Sequence, residues 1–264
     1  MSKFKKLVSG FKNLLRQPSL INLILNDNEV TKLGHLKRYS DLETLPQITF
    51  DDLGGLEESV DLFVLDGGSL PTDIALLKIL AKNKKSYFEI GTWRGESVWN
   101  VSKYIDDCTT LNLSDEEMKA LGWNPKYAEL HGVLSKRNGK INHVTGNTKV
   151  FDFKKLNKTY DLIFIDGDHS YEMVKNDTKK VFGNLIHENT IVVWHDYAFN
   201  PEKVRYEVFT AILDGMPKDL HKHLYHVQNT MCAVFIKSDF KTKTFESPKT
   251  PETIYEVNLK NHTF

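Results

Sequence analysis

"YDLIFIDGDHSYEMVKND", Tyr160 to Asp177, runs an apolar stretch into Asp166, places Asp168 and His169 directly after it, and only then begins a helical pattern. An apolar run of this length, bounded by glycine and polar residues, reads as a strand buried on both faces, and such strands belong to parallel sheets covered by helices. Packing alone does not call for two carboxylates and an imidazole at its end. Their crowding there marks a place where something is bound or deprotonated.

The surrounding chain repeats the strand-then-helix pattern. "SYFEI" (86–90), "TTLNLS" (109–114), "INHVTG" (141–146) and "TIVVWHD" (190–196) read as further strands, and "YHVQNTMCAVFIK" (225–237) as two more joined by a turn around Asn229. Helices are predicted over 69–83, after Gly91, from Ser170 to Phe182 and from Glu202 to Leu213. The last two strands are too closely joined for a crossover helix and must be antiparallel to one another. The predicted fold is α/β: a doubly wound, mostly parallel, seven-stranded sheet of Rossmann-like type with an N-terminal helical extension. Residues 1–70 form a helical accessory region in which no strand is convincing, residues 71–238 the main domain, and residues 239–264 a polar tail packed on it.

In a doubly wound sheet ligands sit beyond the carboxyl ends of the strands, where the winding reverses. That rule sends Glu89, Asp166, His195 and Asp196 to one crevice. "FEIGTWRGES" (88–97) adds a strand, a glycine turn and a helix start, the arrangement that offers backbone N–H groups to a ligand. Its Gly-x-x-x-Gly spacing lacks the third glycine of the dinucleotide fingerprint, and Asn112 stands where a dinucleotide enzyme carries an acid. A nicotinamide-dependent oxidoreductase on the same sheet is therefore the weaker alternative, and a catalytically silent cofactor-binding protein the other. Asn147, after the third strand, suits either a ligand contact or a turn. Asp168 and Ser170 suit the cap of the following helix.

"YFEIGTWRGES", "GNT", "YDLIFIDGDHSYE" and "IVVWHDY", in this order, resemble class I S-adenosylmethionine-dependent methyltransferases over roughly residues 70 to 237. The subgroup they most resemble holds metal-dependent sugar and macrolide O-methyltransferases and cephalosporin-hydroxylase-like proteins. The resemblance implies that Glu89, Gly91 and Gly95 hold the methionine part of the cofactor, with Thr92 and Asp166 also in contact with it. It places Asn112 at the ribose and Asn147 at the adenine, two positions where the family usually carries acids. It further implies a divalent cation, magnesium or manganese, on Asp166, His195 and Asp196, with His169 as the catalytic base that takes the acceptor's proton. The chemistry stands on its own terms: a hydroxyl is a poor nucleophile until deprotonated, and imidazole titrates near neutrality. A hydrogen-bonded His195–Asp196 pair with a purely structural role is the competing reading. The implied reaction is methyl transfer to a sugar or other small polar hydroxyl.

Composition narrows the partners. The 264 residues balance 35 lysines and arginines against 35 acids, which argues against nucleic acid as a ligand. The two cysteines, Cys108 and Cys232, have no paired spacing, so reduced core thiols and a cytoplasmic location are expected. No stretch is apolar enough to span a bilayer. Phe4, Leu7, Val8, Phe11, Leu14 and Leu15 recur at helical spacing among Lys3, Lys5, Lys6, Lys12 and Arg16. The first expectation for this stripe is packing on the domain or on a second subunit in a homodimer. The second is weak contact with an anionic membrane surface.

Overall fold

A computed structural model describes residues 3–21 and 27–263. Eight strands form the main sheet: β1 (Gln47–Ile48), β2 (Ser86–Ile90), β3 (Asp107–Asn112), β4 (Ile141–Thr145), β5 (Leu162–Ile165), β6 (Ile191–Trp194), β9 (Leu224–Val227) and β10 (Ala233–Phe235). Between β6 and β9 lies a separate two-stranded ribbon, β7 (Ala198–Asn200) and β8 (Lys203–Val204). The sheet order is β1-β9-β10-β6-β5-β2-β3-β4, with β10 antiparallel to both neighbours and every other pairing parallel. Winding runs from β2 outward to β4 in one direction and from β5 to β6 in the other. The reversal falls between β2 and β5, so the crevice opens over Ile90 and Ile165.

Two expectations change here. The sheet has eight strands rather than seven, and the additional one comes from the region where no strand was convincing. β1 is two residues long, too short for any alternation to register, and exists because Gln47 and Ile48 pair with His226 and Val227 of β9. The helix expected from Glu202 begins at Tyr206, since the preceding residues turn back on themselves as the β7–β8 ribbon.

The eight α-helices among the described residues are α1 (Lys3–Arg16), α2 (Asn28–Arg38), α3 (Pro71–Ala81), α4 (Glu96–Val101), α5 (Asp115–Ala120), α6 (Pro125–Glu129), α7 (Tyr171–Asn184) and α8 (Tyr206–Gly215). Alternation along the strands divides the core into two layers. Phe88, Ile163, Ile165, Val192, Trp194 and Phe235 face the layer built with α7 and α8. Tyr87, Leu162, Phe164, Val193 and Val234 face the layer built with α3 and α4. Each such side chain, fully withdrawn from water, contributes roughly 1.5–3 kcal/mol.

The accessory region is tied down from α2 onward. Asn28 donates to the Val204 carbonyl at 2.9 Å and accepts from Tyr206 N at 3.1 Å, while buried His35 meets Thr210 Oγ1 at 2.9 Å. Tyr39 and Tyr171 both donate to Asp214, each at 2.6 Å. α1 differs: it buries none of its residues, which overturns the expectation that its stripe packs on this domain.

Candidate functional site

The crevice is built where β2 and β5 end side by side. Asp166 N donates to the Ile90 carbonyl at 2.8 Å, and Gly91 N to the Leu111 carbonyl at 3.0 Å. Gly91 sits at φ +91°, and a Cβ there would collide with the Asp166 carbonyl, so only glycine lets the two strand ends close. Gly95 (φ +84°) leads into α4 against the Ser135 hydroxyl in the same close manner.

Beneath this turn lies Glu89, fully buried. Its Oε2 accepts from Tyr87 Oη at 2.8 Å and from Ser97 Oγ at 2.7 Å, whereas Oε1 is buried with no partner. Burial pushes its carboxyl up to about 7, the hydroxyls of Ser97, Tyr87 and Thr110 working against that. An unpartnered buried carboxylate oxygen under a glycine turn is an acceptor waiting for a donor. Thr92 and Thr110 share a hydroxyl–hydroxyl bond of 2.5 Å beside it.

The ends of β3 and β4 are neutral. Asn112 is half-buried, its side chain donating only to the adjacent Leu113 carbonyl at 3.1 Å. Asn147 takes the turn-forming alternative: its Oδ1 accepts from Lys149 N at 3.0 Å, and its carbonyl from Phe151 N at 2.8 Å. Asp168 closes the turn just ahead of α7, accepting from Ser170 N at 2.8 Å, while the N-cap of α7 is Ser170 and makes no side-chain capping bond, so the expected side-chain cap is not formed.

The ends of β5 and β6 are charged, and they converge. His195 Nδ1 lies 3.2 Å from Asp166 Oδ1 and 3.0 Å from Asp196 Oδ2. His169 Nδ1 reaches the same Asp196 oxygen at 3.0 Å. Of the four side chains that the strand-end rule sends to this crevice, Asp166, His195 and Asp196 meet, joined by His169, while Glu89 lies beneath the glycine turn. Asp196 adopts φ +54°, a left-handed conformation uncommon for a residue with a Cβ, which aims its carboxylate back between the two imidazoles.

A fifth group, Asp73, completes the cluster and was not anticipated. It is fully buried in the first turn of α3, where its Oδ2 lies 3.2 Å from His195 Nε2 and accepts from Leu70 N at 2.8 Å. Its Oδ1 accepts from Met231 N at 2.8 Å. By accepting from the amide of the N-cap residue Leu70, Asp73 also fixes the start of α3. The available signal was a lone carboxylate opening the apolar helix "PTDIALLKILA".

Charge settles accordingly. Burial by itself would lower the proton affinity of His195, but the Asp166 charge and the bonds to Asp166, Asp196 and Asp73 raise it well above the ordinary value. Burial also works to raise Asp196, and there the hydrogen bond and charge of His195 win, helped by His169 and Arg205, so its carboxyl lies below the usual range. Arg205 Nη1 stands 3.9 Å from Asp196 Oδ1.

Asp166, His195 and Asp196 each offer one ligand atom within 4.8 Å of the others. Two carboxylates and an imidazole are donors that a divalent cation takes, and a carboxylate on the far ring nitrogen, here Asp73, is the usual orienting partner of a metal-bound histidine. His169 is placed differently. Its side chain is 40% exposed, and with Nδ1 directed at Asp196 its Nε2 is left for another partner. Trp194 belongs to the core, donating to Thr178 Oγ1 at 2.9 Å, while Trp93 stacks on Tyr127 at 4.1 Å between ring centroids, beside the glycine turn.

Residues 88–197, the segment from β2 to just past β6, match a methyltransferase domain family. No curated protein matches the chain in sequence. Solved structures similar to it include DesVI of Streptomyces venezuelae, at 14% identity over 48% of this chain and 49% of that one (TM-score 0.34). They also include a putative O-methyltransferase from Klebsiella pneumoniae, at 16% identity over 66% and 84% (TM-score 0.43). A third is a putative caffeoyl-CoA O-methyltransferase from Staphylococcus aureus, at 19% identity over 84% and 99% (TM-score 0.42). The chain spans about half the length of the first of these.

Proposed function

The chain carries a class I S-adenosylmethionine-dependent methyltransferase domain, and from that premise we propose that it methylates a hydroxyl oxygen of a small polar, sugar-like acceptor, with His169 as the base. The observation that carries this reading is the 3.0 Å contact between His169 Nδ1 and Asp196 Oδ2. It favours the tautomer with its proton on Nδ1, leaving the Nε2 lone pair free at a half-exposed position to accept the proton of an incoming hydroxyl. Asp196 then stabilises the imidazolium that forms, much as a carboxylate holds the histidine of a hydrolase triad.

The bound cofactor supplies an electrophilic methyl group on a sulfonium. Glu89, Gly91, Thr92, Gly95 and Asp166 form the part of the crevice assigned to its methionine end. The unpartnered Glu89 Oε1 and the backbone closeness at Gly91 support that assignment. Asn112 and Asn147 are assigned to its nucleoside end, Asn112 with an amide free to turn and Asn147 through the turn it builds.

Asp166, His195 and Asp196 are the ligands proposed for a magnesium or manganese ion, which would lower the energy of a developing alkoxide. The donor set and its carboxylate backing from Asp73 fit such an ion. A cation and a proton would compete for His195 Nδ1, so affinity for the ion should rise with pH.

The deciding experiment measures methyl transfer to a panel of glycosides and other hydroxyl acceptors, with and without magnesium or manganese, for the wild type and His169→Ala. Loss of turnover in the variant, with binding of S-adenosylhomocysteine intact, supports the reading. Equal turnover in the two would remove His169 from the reaction.

A further inference from the structure

α1 is the part of the molecule that the active-site reading leaves unused. At 100° per residue, Phe4, Leu7, Val8, Phe11, Leu14 and Leu15 fall within an arc of about 120°. Lys3 borders that arc on one side and Lys12 and Lys5 on the other, with Ser9 and Asn13 opposite, flanked by Arg16 and Lys6. This stripe lies open: Phe4 is 75% exposed, Leu7 72%, Phe11 63% and Leu15 68%. An apolar surface of that continuity is not left in water without a purpose.

We propose that α1 is a peripheral anchor that lies flat on a lipid bilayer containing anionic headgroups. Charge selects this occupant. Residues 1–26 contain five basic residues and no acid, although the chain as a whole balances 35 against 35, so the remainder is net negative. A second copy of α1 seated on the same stripe would bring five cations of one chain against five of the other. An anionic surface meets the same cations with attraction. Lysines at both borders of the stripe extend their stems along the apolar surface and place their ammonium groups at headgroup level, while Phe4 and Phe11 enter the acyl boundary. At 14 residues α1 is too short to cross a bilayer, and no described helix is long and apolar enough to do so. The proposal is independent of the reaction assigned to the crevice.

Sedimentation of the full chain with vesicles tests it, using phosphatidylcholine alone and phosphatidylcholine mixed with phosphatidylglycerol. Partitioning onto the mixed vesicles should be at least about tenfold stronger and should fall as salt is raised. Phe4→Asp combined with Phe11→Asp should abolish it. That variant should keep the wild-type melting temperature, because no residue of α1 is buried. Equal sedimentation of wild type and variant, or indifference to the anionic lipid, would overturn the proposal. So would light scattering that shows a dimer split by the same variant without any vesicle binding, which would assign the stripe to a second copy.

Discussion

The two halves of the crevice rim are built from the same kind of strand end and behave in opposite ways. Over β3 and β4 the side chains are neutral, Asn112 and Asn147, and much of their hydrogen bonding stays with nearby backbone. Over β5 and β6 four charged or titratable groups lie in contact, and a fifth, Asp73, backs them from α3. One side is suited to holding a ligand by shape and neutral hydrogen bonds. The other is suited to holding and moving protons. Where the winding reverses, the glycine turn at Gly91 joins them.

The sharpest way to break this comparison is to remove the proposed proton acceptor from the charged half. His169→Ala should lower kcat by about 10²–10⁴-fold with little change in stability, since the side chain is half-exposed, and steady-state kinetics beside a melting curve check both parts. Asp73→Ala should act through structure instead. It strands the His195 ring and the Leu70 and Met231 amides in the interior, and it should remove about 3–5 kcal/mol of unfolding free energy in urea titrations.

Glu89 probes the junction of the halves through pH. Its carboxyl is raised from near 4.5 to about 7 in the folded protein, so the folded state binds the proton more tightly than the unfolded one. The stability it contributes is fully present below pH 4.5 and is lost as pH rises through 7. The loss should be on the order of 3 kcal/mol across that window. Glu89→Gln, which imitates the protonated form, should flatten this part of the profile when unfolding is measured at a series of pH values.

The smallest effects belong to the neutral half and sharpen the contrast within it. Asn112→Ala should weaken binding of S-adenosylhomocysteine by about tenfold, the worth of one hydrogen bond. Asn147→Ala should change it less, because that amide oxygen is already engaged by Lys149 N. Calorimetric titration of both variants gives the ranking, and a reversed order would exchange their assignments.

Much of this arrangement was legible along the chain because it rests on local patterns. Unbroken apolar runs placed β2, β5 and β6 to within two residues at either end, and the rule of the switch point sent Glu89, Asp166, His195 and Asp196 to one crevice before any distance was known, with His169 added by the family resemblance. What escaped notice depends on partners far away in sequence. Asp73 becomes part of the site only because the first turn of α3 folds over His195, 122 residues later. β1 has no periodicity to detect in two residues, and β9 alone makes it a strand. The exposure of α1 could not be read either, since an apolar stripe looks the same on the chain whether or not anything covers it.

β1 also bears on how the molecule tolerates trimming. On its outer side Gln47 exchanges two backbone bonds with Lys243, at 2.8 and 2.9 Å, and Asn229 reaches across to the Tyr255 hydroxyl at 2.8 Å. The accessory region and the tail are thus sewn to each other along one margin of the sheet, where Lys243 occupies the backbone positions a foreign strand would otherwise seek. Removing the tail through Lys243 would uncover the outer edge of β1, and removing the chain through Ile48 would uncover the amides of His226 and Gln228 along β9.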